Sequence, residues 1–468
     1  MQALRAPAQR GRHHSDSSGA PIQSAALIAA FAALALMLAL PSPTLAAQAN
    51  WWEGITGSGT PDYTGRRGEE QDRQRAAQAQ EPLDDLRPDP TPWRSDEMLA
   101  SIQGAINRYQ DIVDRGGWPI VPPGRMMREG DDDDRVPILR KRLRVSGDLI
   151  MRTSSYNSSY SYDSDLADAV ARFQRRNGLR PTGRIERSTY PALNMSADAR
   201  LAQLRLNLGR LRDLMSGGKV EPRYILVNIP AFQLEAVENY EVQQRHRVIV
   251  GRTERQSPSV KATVRALNFF PYWRVPDSVA HLDLIPHLLK EPDYLQKEKI
   301  RVLNGAEGAE IDPMEVDWNS PAAAKPKFRQ DPGPQNALGV VRIDMPNEFN
   351  VYMHDTPMKP LFGQRARAFS AGCVRVEGVL DLVDWIARYE PGWDQPGRAR
   401  SIVEGDQQVD FTLNRPLPVY FVYITAWAER TGDVEFRPDI YGRDGAVDTV
   451  AEMDRDPGEP PPQPTLAP

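Results

Sequence analysis

At Arg223 the spacing of apolar residues changes, and that change divides the chain into a helical half and a strand-rich half. Over residues 197–216, Leu201, Leu204, Leu208, Leu211 and Met215 advance by three and four, which makes one apolar helix stripe for packing. Ser216-Gly217-Gly218 stops that helix. Beyond it, YILVNIP, AFQLEAVEN and RHRVIVG are short runs rich in β-branched and aromatic residues, separated by turn residues. The pattern continues through QQVDFTL and LPVYFVYITAWAE, so residues 223–430 read as a β-dominated domain. Residues 275–335 break it with helix-like and loop-like sequence, IPHLLKEPDYLQKEK and the Pro/Gly-rich DPGPQ, and are expected to be an insertion or lid between strands. Residues 431–455 read as a C-terminal extension, and 456–468 as a Pro-rich disordered tail. A chain of 468 residues accommodates two or three domains, so the fold class expected is multidomain α+β.

The helical half has parts of its own. Residues 48–90, rich in Gly, Gln, Arg, Asp and Pro, read as a disordered linker. Residues 91–134 form a helical scaffold segment, with Met98, Ile102, Ile106 and Ile112 predicting a helix over 95–115. Asp131, Asp132, Asp133 and Asp134 lack the Gly and Glu of a calcium loop and read as a solvated acidic loop. Residues 135–195 form a small helical unit, interrupted by the Ser/Tyr-rich SSYNSSYSYDS, in which Leu166, Val170 and Phe173 share a face and Gly178 caps the helix end. Residues 196–222 are a connecting helix.

The N-terminus carries Arg5, Arg10 and Arg12, a 16-residue apolar run over 25–40, Pro41, Pro43 and then small residues. That is the layout of a secretory signal peptide over residues 1–47, and the run is short for a membrane span of about 18–20 residues. An uncleaved membrane anchor is the alternative; either way the body of the chain is expected outside the cytoplasm. The formal charge of −5 argues against nucleic acid. One cysteine and six histidines leave no material for a disulfide framework or a Cys/His metal cage. A lone thiol in an exported protein suits a dimer-forming disulfide or a nucleophile.

That cysteine, Cys373, lies in Phe369-Ser370-Ala371-Gly372-Cys373-Val374-Arg375-Val376, and His354 precedes it by 19 positions. A free thiol has a pKa of about 8.5, and a neighbouring imidazole can take its proton and hold the thiolate as an ion pair. A turn with glycine beside the cysteine can aim backbone N–H groups at an oxyanion. In an extended segment Arg375 shares a face with Cys373, where it would lower the thiol pKa or grip a carboxylate through its planar fork. A buried structural cysteine beside a surface histidine is the plain alternative.

These residues resemble the signature of the L,D-transpeptidase catalytic domain, the YkuD type: a histidine, a gap, then Ser/Thr-His-Gly-Cys, an apolar residue and Arg. His354, Ser370, Gly372, Cys373, Val374 and Arg375 fit, whereas Ala371 stands where the family usually has histidine. LVNIPAFQLEAVE, RVIVGRTERQSPS, NFFPYWRVPDSVA and PGPQNALGVVRIDMPNEFNVYMHDTP follow the order of the larger Gram-negative periplasmic members, which also carry a substrate-capping insertion. In residues 135–195, Ala169-Val170, Phe173-Gln174, Asn177-Gly178-Leu179, Gly183 and Leu193-Asn194 resemble a three-helix peptidoglycan-binding domain; a helical spacer is the alternative.

The resemblance implies a periplasmic enzyme without cofactor or metal. Cys373 attacks a tetrapeptide stem, releases D-Ala, and passes the acyl group to the amine of a second stem in a 3→3 cross-link. It assigns His354 as base and then acid, Gly372 and Cys373 N–H groups to the oxyanion, and Tyr352, Arg375 and Ser370 to the substrate. Arg365 and Arg367 are weaker candidates for holding the substrate, and solvated loop arginines are the preferred reading of both. Acylation by carbapenems is a further implication. A hydrolase on the same scaffold and a non-catalytic wall-binding protein are the rival readings.

Overall fold

The computed structural model describes residues 85–150, 160–306, 308–320 and 326–445. The leader, most of the 48–90 segment, the centre of the Ser/Tyr loop and the C-terminal tail lie outside the described residues. Among the described residues no helix is long and apolar enough to cross a membrane.

Two long helices follow from their sequences. Helix α1 (Asp96–Asp114) starts at Ser95, whose hydroxyl accepts from the Met98 N–H, with Asp96 and Glu97 in the positive first turn. It buries Met98, Ile102, Ala105, Ile106, Tyr109 and Ile112. Between α1 and its packing partner come α2 (Val136–Val145), α3 (Ser164–Arg176) and α4 (Tyr190–Asn194), which share a core of Leu139, Leu143, Leu166, Val170, Phe173 and Leu193. Asp163 caps the start of α3, and Gly178, at φ +69°, closes its end as expected. Helix α5 (Ala197–Met215) then lies against α1.

The second half is built on a sheet of nine strands: β1 (Arg223–Asn228), β2 (Gln233–Glu238), β3 (Glu241–Gly251), β4 (Val260–Phe269), β9 (Val341–Asp344), β10 (Met353–His354), β11 (Ala368–Ser370), β12 (Val374–Val376) and β13 (Val409–Val422). The order is β11-β3-β12-β10-β9-β4-β13-β1-β2, and β3 also pairs with β2, so the sheet closes on itself. Strand β1 reads YILVN without alternation because both of its faces are covered. Ile225 and Val227 enter the core shared with α6 (Val379–Ala387) and α7 (Arg398–Glu404); Tyr224 and Leu226 enter a second core with α1, α5 and the hairpin β14 (Ala426–Ala428)–β15 (Val434–Phe436).

Two expectations are corrected. Residues 275–335 were expected to be helix-like and loop-like; they contain short helical turns but are organised by a four-stranded antiparallel sheet, β5 (Trp273–Arg274), β8 (Lys327–Gln330), β6 (Ile300–Leu303) and β7 (Glu310–Ile311), around their own core of Leu284, Leu288, Val302 and Phe328. Alternation over two to four residues is too short to read as strand in a sequence. The expected linker also ends before residue 90. Arg87 is buried, bonds Glu429 through Nε at 2.7 Å and Glu235 through Nη1 at 3.0 Å, and so straps the chain to the sheet.

Candidate active site

Strands β9, β10 and β12 lie side by side, with β10 antiparallel to β9 and parallel to β12. The register sets His354 against Arg342 on one side and Arg375 on the other. Alternation then puts Tyr352, His354, Cys373, Arg375 and Arg342 on one face, and sends Met353, Val374 and Val376 into the core. This is why the two motifs alternate apolar and functional residues.

The turn before β12 is built for its glycine. Gly372 has φ +117°, a conformation that L side chains rarely adopt. Ser370 spans the turn: its hydroxyl accepts from the Gly372 N–H at 3.2 Å and donates to the Cys373 carbonyl at 2.5 Å. Two expected roles change. Ser370 is buried and holds the turn instead of facing a substrate. The Gly372 N–H, expected at the oxyanion, is already engaged by Ser370; what glycine contributes is the backbone angle.

A residue the sequence reading missed completes the support. Ser257, fully buried, donates to the Gly372 carbonyl at 2.7 Å and accepts from the Gly251 N–H at 2.9 Å. The Tyr441 hydroxyl accepts from the Ser257 N–H and donates to the Gly251 carbonyl, so the C-terminal segment braces the same turn. A serine in a loop between strands carries no signal of this in sequence. Arg342 was also missed; only the register of β9 on β10 reveals it.

Tyr352 acts on the Cys373 sulfur through its backbone and its phenol, favouring the charged form, and Trp273 of β5 acts on that phenol, which connects the insertion to the site. Burial nevertheless pushes the thiol up to about 11, against the pull of Tyr352, Arg375 and Arg342. The His354 ring is held down at about 3, chiefly by burial and then by the Arg375 guanidinium, despite hydrogen bonds to the backbone of Asp355 and Leu338. Its Nδ1 sits 2.5 Å from the Asp355 carbonyl oxygen. Both shifts favour a neutral thiol and a neutral imidazole over the expected ion pair, because burial opposes charge on each group. Burial also pulls Arg375 down to about 10; its Nε and Nη1 are buried without a hydrogen-bond partner.

Arg365 and Arg367 are not solvated as expected. Arg367 is fully buried and bonds Asp85 at 2.7 Å, along with three backbone carbonyls; Arg365 is half-buried, with a buried, unpartnered Nε.

Residues 222–409 match the L,D-transpeptidase catalytic domain (YkuD), and residues 132–193 match a putative peptidoglycan binding domain. A putative L,D-transpeptidase of Haemophilus influenzae is 32% identical over 281 residues, which cover 58% of this chain and 55% of that protein. The chain thus spans about half the length of this curated relative. Two solved L,D-transpeptidases overlap loosely: that of Stackebrandtia nassauensis at 11% identity and TM-score 0.22, covering 67% of this chain and 99% of the other, and that of Xylanimonas cellulosilytica at 13% and 0.18, covering 64% and 98%. Over residues 222–409 the strand-rich half is thus similar to the L,D-transpeptidase catalytic domain of the YkuD type. The helical unit before it is similar to a putative peptidoglycan binding domain.

Proposed function

We propose that the protein is a periplasmic L,D-transpeptidase that forms 3→3 cross-links between peptidoglycan stem peptides through a Cys373 thioester. The observation that carries this reading is Arg375: a desolvated guanidinium with two unpartnered nitrogen atoms beside Cys373 suits a carboxylate on the bound stem. With Nδ1–H donating to Asp355, the His354 Nε2 is left to accept a proton. As Cys373 Sγ bonds to the donor carbonyl, its proton passes to His354. The C–N bond to D-Ala breaks as His354 returns that proton to the leaving amine. The side-chain amine of a second stem then attacks the thioester, loses a proton to His354, and Cys373 leaves as thiolate to recover it. The insertion, joined to the site through Trp273 and Tyr352, supports exclusion of water in favour of the amine.

Hydrolysis on the same scaffold is the rival outcome. Purified protein is incubated with disaccharide-tetrapeptides and the products are weighed by mass spectrometry. Cross-linked dimers with loss of D-Ala are expected. Tripeptides without dimers would make the protein an L,D-carboxypeptidase, and no product from folded, reduced protein would overturn the enzymatic reading.

A further inference from the structure

A cleft of about 1270 Å³ lies between the helical unit and the β domain, away from the Cys373 face. One wall is the end of α3 with the Ser146–Asp148 turn, and the other is the loop over residues 365–367; the strap at 85–90 and the β14–β15 hairpin complete it. Ten arginines and six carboxylates line it, an excess of four positive charges. The carboxylates are largely engaged already: Asp148 with Arg176, Asp85 with Arg367 and Arg247, Glu429 with Arg87, and Glu435 with Arg437. Arg175 and Arg430 project exposed at its rim, and the Arg365 Nε is buried without a partner while its guanidinium faces repulsion from Arg367, Arg180 and Arg437.

The cleft is preformed. Arg176 Nη1 donates to the Val434 carbonyl at 2.9 Å, and Arg437 donates back to the Arg176 carbonyl at 3.3 Å. Gly178 permits this close approach, since a Cβ there would lie 3.1 Å from the Arg437 Cδ. A volume of this size exceeds what a single ion requires and suits a chain of spaced anionic groups. One wall is of peptidoglycan-binding type, and the 365–367 wall runs directly into β11 and the Cys373 turn.

We propose that this cleft is a second, non-catalytic site that grips the carboxylates of peptidoglycan stem peptides between the two domains. The proposal rests on the peptidoglycan reading above and assigns the wall-anchoring role to the seam, where both domains contribute cations, instead of to the helical unit alone.

The test uses the full chain carrying Cys373→Ala, so that nothing turns over, titrated with soluble glycan oligomers bearing tetrapeptide stems. Oligomers stripped of stems by an amidase, and inorganic polyphosphate, are the comparison ligands. Stem-bearing oligomers are expected to bind at least tenfold more tightly than either. Adding Arg175→Glu and Arg430→Glu is expected to weaken that binding tenfold or more, with Arg175→Lys and Arg430→Lys restoring most of it. Binding to the parent should also fall steeply between about 50 and about 300 mM salt, as charge pairing at an open cleft requires. Equal binding by the Glu double variant, equal binding of stripped oligomers or polyphosphate, or salt-independent affinity would each overturn the proposal. Turnover of disaccharide-tetrapeptide by the unsubstituted protein is assayed separately: its absence, with the binding pattern intact, would remove the transpeptidase reading and leave the cleft standing.

Discussion

Replacing Ser257 by alanine tests whether the Cys373 turn is held from beneath. The hydroxyl is fully buried and satisfies two backbone groups, the Gly372 carbonyl at 2.7 Å and the Gly251 N–H at 2.9 Å. Alanine leaves both without that partner in a site closed to water. A buried polar group left unsatisfied costs about 1–3 kcal/mol, so the two together cost about 2–6 kcal/mol. Domains of this kind have about 5–15 kcal/mol of stability, so Ser257→Ala should still fold. Part of the loss falls on the geometry of Cys373, because the freed carbonyl belongs to the residue at φ +117°. Urea unfolding should show a lower midpoint with an unchanged slope. Acylation of Cys373 by a carbapenem, followed by intact mass, should slow at least tenfold. An unchanged midpoint together with an unchanged acylation rate would refute the idea that Ser257 holds the turn.

Three other outcomes follow from the site. Gly372→Ala has room, with the nearest atoms 3.6 Å from the new Cβ, so its cost of about 1–3 kcal/mol comes from the backbone angle alone; folded protein without tetrapeptide turnover is expected, and full activity would show that the angle is dispensable. With the thiol up at about 11, Cys373 is protonated through the neutral range, so its alkylation by iodoacetamide should rise about tenfold per pH unit toward that value; a plateau from about pH 6 would reveal a thiolate–imidazolium pair instead. A carbapenem should leave one adduct on the protein, absent in Cys373→Ala and slowed in His354→Ala. An adduct that survives Cys373→Ala would place the nucleophile elsewhere.

The sequence disclosed what depends on period and on motif. The switch at Arg223 marks the first residue of β1, and Ser95 and Ser196 begin the two long helices because capping chemistry is local. The alternation in Val351-Tyr352-Met353-His354 already separates core from site, since side chains on a strand take opposite faces. What stayed hidden is whatever distant segments make together. Arg342 reaches the site by register, Ser257 by a loop crossing beneath the turn, and Trp273 through the insertion's first strand. The protonation of Cys373 was hidden for the same non-local reason: the sequence places a base near a thiol, but only the packed structure sets the burial that opposes charge on both. Arg367 read as a loop cation because its partner, Asp85, lies 282 positions away.

The Arg87 strap makes the helical unit a guest within its host. The chain first lays residues 85–94 against the sheet, then leaves to build α1 through α5, and only afterwards supplies the strands that the strap fastens. Arg87 and Glu429 are 342 positions apart, so a nascent chain emerging from its N-terminus must complete almost the whole β domain before this ring can shut. Glu235 is fully buried and keeps Arg245 as a cation when Arg87 is gone, whereas Glu429 has Arg87 as its ion-pair partner. Cutting the gene at the apparent domain border would therefore not release a self-sufficient β domain. It would strand Glu429 in the interior, at a cost of about 3–5 kcal/mol, and recombination that trades the helical unit for another must carry the strap along with it.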